Sequence, residues 1–333
     1  MPLRRLKFEM KTMAFKVYTR EELTNEEYHA ETDHISGSSL VEIIHGSPAK
    51  WKFKQRNNDS KALKFGTLSH TYILEGDMFD KEYLRATDLD AIEGLITSQT
   101  GLSAALKKVG VAGTSGKGYS ELVEMMYRSG EDWPVKWLID QQESAQALVE
   151  GKELVSASDY DKVVAMREVL CNIPAYNAIV NSETAQKELS IFGEILGVGV
   201  KIRIDHVDVV DGVVCITDLK TTASASPQEF GRLAFKHGYL AKMALQHDVF
   251  VRAFNEKRRT KVRLLAIEKE APYLPMLYNI TEEQLKVGRR MYLEALATYK
   301  KCKENDVWPG YAMGATEIDL DVPDWDMRKY KEI

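Results

Sequence analysis

Cysteine is scarce in this 333-residue sequence, which contains only Cys171, Cys215 and Cys302. The three lie far apart and form no Cys-x-x-Cys pair, which argues against a disulfide framework, a structural zinc site and an iron–sulfur cluster. A chain of this length can bury a self-sufficient core without such crosslinks. The sequence therefore indicates an ordinary globular protein that needs no covalent or metal crosslink to fold.

Long hydrophobic runs are also lacking. No stretch approaches the 18 apolar residues that a membrane-spanning helix requires. Basic residues are scattered through Met1–Arg20, and the apolar segment of a secretory signal does not follow them. These absences predict a cytoplasmic protein that does not contact a membrane.

An excess of positive charge is absent as well, because 45 Lys and Arg face 50 Asp and Glu for a formal net charge of −5. Any contact with DNA therefore requires a local basic patch. Three groups of residues offer one: Lys50, Lys52, Lys54 and Arg56; Lys61 and Lys64; Lys257, Arg258, Arg259, Lys261 and Arg263. Such runs are usually solvated faces, but Trp51 and Phe53 are interleaved with the first group, which favours a role in DNA approach.

A phosphate-binding loop is missing in spite of a glycine-rich segment that ends in Gly116-Lys117. Val111 stands where the first glycine of such a loop is required, and Gly118 stands where Ser or Thr would bind Mg²⁺. The sequence therefore predicts no ATPase chemistry. We expect the small-residue segment 101–118 to be a mobile loop.

The order of hydrophobic patterns predicts an α/β fold in a single domain. Residues 1–180 contain mainly helical patterns, and β-type runs alternate with helical ones from about Lys187 onwards. The last long helix, Thr281–Cys302, begins with a capping box in which Thr281 and Gln284 satisfy each other's backbone groups. Residues 181–333 are thus predicted to form the α/β core and a C-terminal tail.

The most informative segment is Lys201–Thr222. Two β-type runs flank Asp211-Gly212, a pair that favours a two-residue type I′ hairpin turn. The turn fixes the register of the two strands and places Asp205 directly opposite Asp218. Lys220 lies on the same face, two residues beyond Asp218.

The opposed carboxylates require a compensating cation, because like charges that face each other across two strands destabilise a sheet. A divalent metal ion held by Asp205 and Asp218 would supply it, with the Lys220 ammonium beside the reacting phosphate. Oxygen ligands suit Mg²⁺ or Mn²⁺, and the implied chemistry is metal-assisted phosphodiester hydrolysis. The alternative is a surface hairpin with solvated charges.

The spacing of Asp205, Asp218 and Lys220 resembles motifs II and III of the PD-(D/E)xK nuclease superfamily. The chain as a whole resembles the exonuclease VIII (RecE-type) phage recombination exonucleases. The matching segments, in order, are Tyr28-His29, His34-Ile35-Ser36-x-Ser38, Ser47-Pro48-Ala49, Gly66-Thr67-x-x-His70-Thr71, Leu74-Glu75, Asp159-Tyr160-Asp161, Lys201-x-Arg203-x-Asp205, Asp218-Leu219-Lys220-Thr221-Thr222, Glu268-Lys269-Glu270-x-Pro272-Tyr273 and Trp308-x-Gly310-Tyr311. The resemblance implies a restriction-endonuclease-like core, with a mixed central sheet flanked by helices and a helical N-terminal elaboration.

The resemblance also implies an activity. It is that of a metal-dependent, ATP-independent exonuclease that degrades duplex DNA from an end, 5′ to 3′, and leaves a 3′ single strand for an annealing protein. It further implies a homo-oligomer, with a ring as one form. Two alternatives stay open: a nuclease for single-stranded or structured DNA, and a catalytically idle DNA-binding module of the same fold.

Residue by residue, the resemblance implies that Asp205, Asp218, the Leu219 carbonyl and His70 ligate the metal. Lys220 would position or activate the attacking water and stabilise developing negative charge.

Two further positions carry over with alternatives. Gln246 would orient DNA or water, but Phe250 stands where the family has a tyrosine four residues later. An additional acidic residue would precede motif II, and Glu188 and Glu194 compete for that role. We prefer Glu188, because Glu188-x-Ser190 precedes the turn-rich segment that leads into the Asp205 strand.

Overall fold

The computed structural model describes residues 15–55 and 60–331. The first basic positions of the chain and Arg56 lie outside the described residues. The strands are β1 (Lys16–Tyr18), β2 (Ile35–Ser36), β3 (Tyr83–Arg85), β4 (Glu153–Val155), β5 (Gln186–Ile195), β6 (Val198–Val210), β7 (Val213–Thr222), β8 (Thr260–Glu268) and β9 (Pro275–Ile280). The helices are α1 (Asn25–Ala30), α2 (Gly37–His45), α3 (Pro48–Phe53), α4 (Lys61–Leu74), α5 (Gly76–Glu82), α6 (Gln99–Lys108), α7 (Tyr119–Arg128), α8 (Lys136–Glu150), α9 (Ala157–Cys171), α10 (Pro174–Val180), α11 (Pro227–Lys236), α12 (Tyr239–Phe254), α13 (Glu282–Asn305) and α14 (Asp324–Lys331).

The chain folds into two compact units. The first consists of Met1–Ser60, Ser182–Ile267 and Pro275–Ile333, and the second of Lys61–Asn181 and Glu268–Leu274. Within the described residues, no helix has both the length and the apolar character to cross a membrane.

The first unit is built on a mixed seven-stranded sheet. Its strand order is β1-β5-β6-β7-β8-β9, and β2 pairs in parallel with β6. The β1–β5, β5–β6, β6–β7 and β8–β9 pairs are antiparallel. The predicted α/β class, with a mixed sheet flanked by helices, is confirmed.

Helix α12 packs on β5 and β6, and α2 and α13 pack on α12. The α12–α13 contact depends on Gly288, because a Cβ at that position would lie 2.1 Å from the Leu240 carbonyl oxygen. Helix α13 begins with the predicted Thr281–Gln284 capping box. It buries the apolar stripe that its sequence predicts: Leu285, Tyr292, Leu296 and Tyr299.

The β6–β7 hairpin has the predicted turn. Asp211 and Gly212 have φ angles of 52° and 75°, the two positive values that a type I′ turn requires. The strand pairing extends from Val210 opposite Val213 to His206 opposite Thr217, which confirms the predicted register over this length.

The second unit contains α4 to α10 and the parallel pair β3–β4. Helix α4 packs against α9. The expectation of a mobile loop over 101–118 is wrong in its first part, where α6 forms. Ser98 caps that helix, and Leu102 and Leu106, one turn apart, are fully buried, so apolar burial outweighs the small-residue composition.

Candidate metal centre

Three acidic residues lie opposite one another on three neighbouring strands. The residues on either side of Glu188 are paired with those on either side of Asp205 between β5 and β6. This register places Glu188 opposite Asp205. The β6–β7 register, continued by one residue beyond its last pair, places Asp218 on the other side of Asp205. Three carboxylates side by side require compensating positive charge.

Glu188 is distinguished from its competitor Glu194 by position and by backbone conformation. Glu194 pairs with Gly199 near the turn of the β5–β6 hairpin and is exposed. Glu188 has a φ of 50°, in the left-handed region that a side-chain-bearing residue inside a strand seldom adopts. Such local strain costs about 1–3 kcal/mol and is concentrated at functional sites. The structure therefore places Glu188, and not Glu194, beside Asp205.

Asp205 is bound to the backbone of the neighbouring strand. Its Oδ2 accepts a hydrogen bond of 2.8 Å from the backbone N–H of Leu219, and the Asp205 side chain is buried. The carbonyl oxygen of Leu219 in turn accepts a hydrogen bond of 3.1 Å from Lys220 Nζ. Asp205, the Leu219 main chain and Lys220 thus lie together.

Asp218 is fully buried and forms ion pairs with two lysines. One is Lys220, on the same strand. The other is Lys242 on α12, whose Nζ lies 2.9 Å from Asp218 Oδ1. Lys242 is absent from the sequence motifs, although it lies one helical turn before Gln246, and an i, i+4 search from that residue would have found it.

Burial and charge act in opposite directions on these groups. Burial acts to raise the pKa of Asp218, but the Lys220 and Lys242 ammonium groups outweigh it and hold that pKa well below its usual range. Burial lowers the pKa of Lys220, and Asp218 only partly offsets this effect. Burial acts in the same direction on Lys242, but Asp218 and Asp205 outweigh it and raise the pKa of Lys242. Asp218 and Lys242 are therefore charged at neutral pH.

Gln246 is buried on the face of α12 that covers the sheet. Its side-chain Nε2 donates a hydrogen bond of 3.0 Å to the Arg203 carbonyl on β6. Its Oε1 has no hydrogen-bond partner among the residues that the structure describes. Phe250, one turn later, is fully buried and packs against Phe254 at a ring distance of 4.8 Å. A phenyl ring suits this apolar position.

The described residues include a set of donors that could hold a divalent metal ion. In the first unit, one carboxylate oxygen of Glu188 lies within 4.8 Å of one of Asp205, and the predicted ligand His70 lies on α4 of the second unit. The carboxylates are oxygen donors that suit Mg²⁺ and Mn²⁺, and imidazole is a donor to many transition metals. The donor set therefore fits a divalent ion without fixing its identity.

A family model described as a PDDEXK-like domain of unknown function, DUF3799, matches residues 47–319. The chain belongs to this family. The matched range contains Glu188, Asp205, Asp218 and Lys220, so the acidic site lies inside the PDDEXK-like domain. Membership supports a nuclease of the PD-(D/E)xK superfamily, for which DNA is the implied substrate and divalent metals are typical.

Among solved structures, a protein of Eubacterium rectale described as a candidate exonuclease is similar over 93% of this chain and 99% of its own, with a TM-score of 0.53 and 14% identity. At that identity the likeness shows the shared fold alone. The structure named SSO0001 has a TM-score of 0.24 at 13% identity, over 62% of this chain and 77% of its own. Vibrio cholerae protein VC1899 has a TM-score of 0.19 at 9% identity, over 82% of this chain and 62% of its own, and neither likeness carries an argument. None of the curated proteins compared with the DUF3799 chain matches it.

Proposed function

We propose that this DUF3799 domain is a metal-dependent, ATP-independent exodeoxyribonuclease. The observation that supports it most is the cluster of Glu188, Asp205 and Asp218 on adjacent strands with the Lys220 ammonium among them. Buried like charges at one level of a sheet are costly for stability, and their natural use is to hold a cation. The glycine-rich segment lacks the residues of a phosphate loop, which supports independence from ATP.

The residues that would hold Mg²⁺ or Mn²⁺ are Glu188 and Asp205, with Asp218, the Leu219 carbonyl and His70 retained as predicted ligands. Bound there, the ion would polarise the scissile phosphate and lower the pKa of a coordinated water. Asp205 keeps its orientation through the Leu219 N–H, which fixes one carboxylate oxygen.

Lys220 would stabilise negative charge on the phosphate and position the attacking water. Its ammonium contacts Asp218, the Leu219 carbonyl and the face of the Tyr239 ring, whose centroid lies 5.3 Å away. An ammonium on a flexible four-carbon stem can move from such partners to a substrate oxygen. The unpartnered Oε1 of buried Gln246 supports its predicted role in orienting water or DNA.

DNA would approach along α3. Lys50 Nζ lies 4.9 Å from the ring centroid of Tyr311, and Lys52 Nζ lies 4.9 Å from that of Trp308. Helix α2 begins beside Lys242, because a Cβ on Gly37 would lie 3.3 Å from Lys242 Cγ. The nine residues of α2 then lead to α3 over about 13 Å, a distance of a few nucleotides.

The finer features of this proposal rest on the exonuclease VIII resemblance. They are action from duplex ends, 5′ to 3′ polarity, a 3′ single-stranded product for a single-strand annealing protein in phage-type recombination, and a homo-oligomer, with a ring as one form. The proposed cytoplasmic location rests on the sequence, which has no long apolar run.

The experiment is a digestion time course on linear duplex DNA with a label at one defined 5′ end. Single-stranded, nicked circular and covalently closed circular DNA serve as companions, each with Mg²⁺, Mn²⁺ or EDTA, and with or without ATP. We expect early release of the 5′ label from linear duplex, only with a divalent ion and without benefit from ATP.

Other outcomes identify the rivals. Preference for single strands, or cleavage of closed circles as fast as linear duplex, would contradict the duplex exonuclease. Either result would favour a nuclease for single-stranded or structured DNA. Binding without hydrolysis under every condition would favour the idle DNA-binding module.

A further inference from the structure

Lys242 is an unusual neighbour for a nuclease carboxylate, because Asp218 already has an ammonium partner in Lys220. The Lys242 side chain extends from the first turn of α12 and is 31% exposed, whereas Asp218 is fully buried. One ammonium group is enough to neutralise one carboxylate, so the second adds positive charge beyond a simple ion pair. Its presence therefore calls for a reason beyond the stability of a pair.

The position of Lys242 is fixed by close packing at the start of α12. Gly238 precedes the helix with a φ of 67°, and a Cβ there would lie 2.7 Å from Val41. Gln246, one turn after Lys242, holds the same helix face to β6 through the Arg203 carbonyl. Lys242 thus reaches Asp218 from a helix end that has little freedom to move.

The charges explain what the second lysine does. Glu188, Asp205 and Asp218 contribute three negative charges. Arg203 lies 3.9 Å from the Glu188 carboxylate, and Lys220 and Lys242 both pair with Asp218. If Lys220 leaves Asp218 for a phosphate oxygen, Lys242 still supplies the buried carboxylate with positive charge. Without Lys242, Lys220 would be held at Asp218, since an unpaired buried charge is strongly unfavourable.

We infer that Lys242 is a positioning residue, the resident counter-ion of Asp218 that frees Lys220 to act on the phosphate. The inference rests on the proposed function, because it assigns Lys220 to the reaction. It also makes Lys242 a rival of the metal ion: both supply positive charge to the same acidic cluster. Removal of the Lys242 charge should therefore strengthen binding of a divalent ion while it weakens catalysis.

The test uses the full chain with Lys242→Gln, which removes the charge and keeps a hydrogen-bond donor. Lys242→Arg retains the charge, and Lys286→Gln removes a charge from an exposed site on α13. Thermal unfolding is followed in EDTA and across Mg²⁺ and Mn²⁺ titrations, without DNA. We expect Lys242→Gln to melt below the wild type in EDTA, and to bind the ion at least about tenfold more tightly.

In nuclease assays at saturating metal, Lys242→Gln should lose kcat while its KM for DNA stays within a few fold. Lys242→Arg should restore kcat, and Lys286→Gln should match the wild type in every measurement. If Lys242→Gln unfolds in EDTA, refolding on addition of the metal supports the inference, and failure to refold contradicts it.

Different results would overturn the role of Lys242 and the proposed metal site. Equal metal affinity in the wild type and Lys242→Gln would overturn the role of Lys242 alone. A metal response in neither protein would overturn the proposed metal site and the role of Lys242 together.

Discussion

Two buried carboxylates of the first unit, Asp218 and Asp248, have their negative charge compensated by different partners. Asp248 accepts two hydrogen bonds from the Arg289 guanidinium, at 2.6 and 2.7 Å, and one of 2.7 Å from the Tyr292 hydroxyl. His247 Nδ1 lies 2.9 Å from its other oxygen. Asp218 has two lysine ammonium groups instead.

The difference lies in how easily the partners can be exchanged. A guanidinium holds a carboxylate in a planar, two-point geometry, whereas an ammonium is a point charge on a flexible stem. Asp248 joins α12 to α13 and has every oxygen engaged, which suits a permanent structural contact. Asp218 lies beside Asp205 and has in Lys220 a partner that can move, which suits a site where a substrate or ion must be admitted.

The largest expected effect is on catalysis, from Lys220→Ala. Loss of one charge-stabilising group should lower kcat by about 10²–10³-fold, while DNA binding changes within a few fold. Single-turnover hydrolysis and binding of the same labelled duplex, with Lys286→Ala as the charge control, measure both. A parallel loss of binding and activity would show that Lys220 mainly anchors the DNA backbone.

The opposite pattern is expected at the structural carboxylate. Arg289→Met should destabilise the protein by about 1.5–3 kcal/mol, because Asp248 loses its charged hydrogen-bond donor. Activity per folded molecule should stay close to that of the wild type. Urea unfolding with activity measured well below the midpoint checks this, and a catalytic loss like that of Lys220→Ala would erase the contrast between the two sites.

Asp218→Asn tests the lysine partners directly. The sequence alone suggests that removal of one opposed carboxylate relieves repulsion and stabilises the metal-free protein. The structure reverses the sign, because the substitution leaves Lys220 and Lys242 without their counter-ion, and we expect a loss of about 1–2 kcal/mol in EDTA. Thermal unfolding in EDTA decides between them, and a higher melting temperature for the variant would mean that repulsion dominates.

The smallest effect is the pH dependence of Asp248. Burial acts to raise its pKa, but hydrogen bonds from Arg289, His247 and Tyr292 outweigh it and lower that pKa well below the usual range. The stabilisation is therefore complete above the unfolded-state pKa, about 4, and is lost as the pH falls below it. The difference in melting temperature between the wild type and Asp248→Asn should shrink between about pH 5 and pH 3. A constant difference would show that Asp248 does not titrate in this way.

Local signals predicted part of this site well. The Asp211-Gly212 turn determines the hairpin register from two residues, so the positions of Asp205 and Asp218 follow from the sequence. The preference for Glu188 over Glu194 stays a prediction, and the structure adds that Glu188 lies opposite Asp205 whereas Glu194 lies near the turn.

Long-range packing set the limits of prediction. Lys242 reaches Asp218 because α12 packs on the sheet at a fixed position. That position depends on close contacts of Gly238 and Gly37 with residues that are distant in sequence. Helix α6 was missed for a related reason: the burial of Leu102 and Leu106 depends on a partner helix that composition does not show.

The central claim is that the acidic cluster on β5, β6 and β7 hydrolyses DNA with a divalent ion. Asp205 is its key residue, since it is a predicted ligand and its carboxylate lies beside that of Glu188. The most direct measurement is release of a 5′ label from linear duplex by the wild type and Asp205→Asn, with Mg²⁺ and with EDTA. The account predicts release by the wild type with Mg²⁺ only, and none by Asp205→Asn; equal release by both proteins, or release in EDTA, would contradict it.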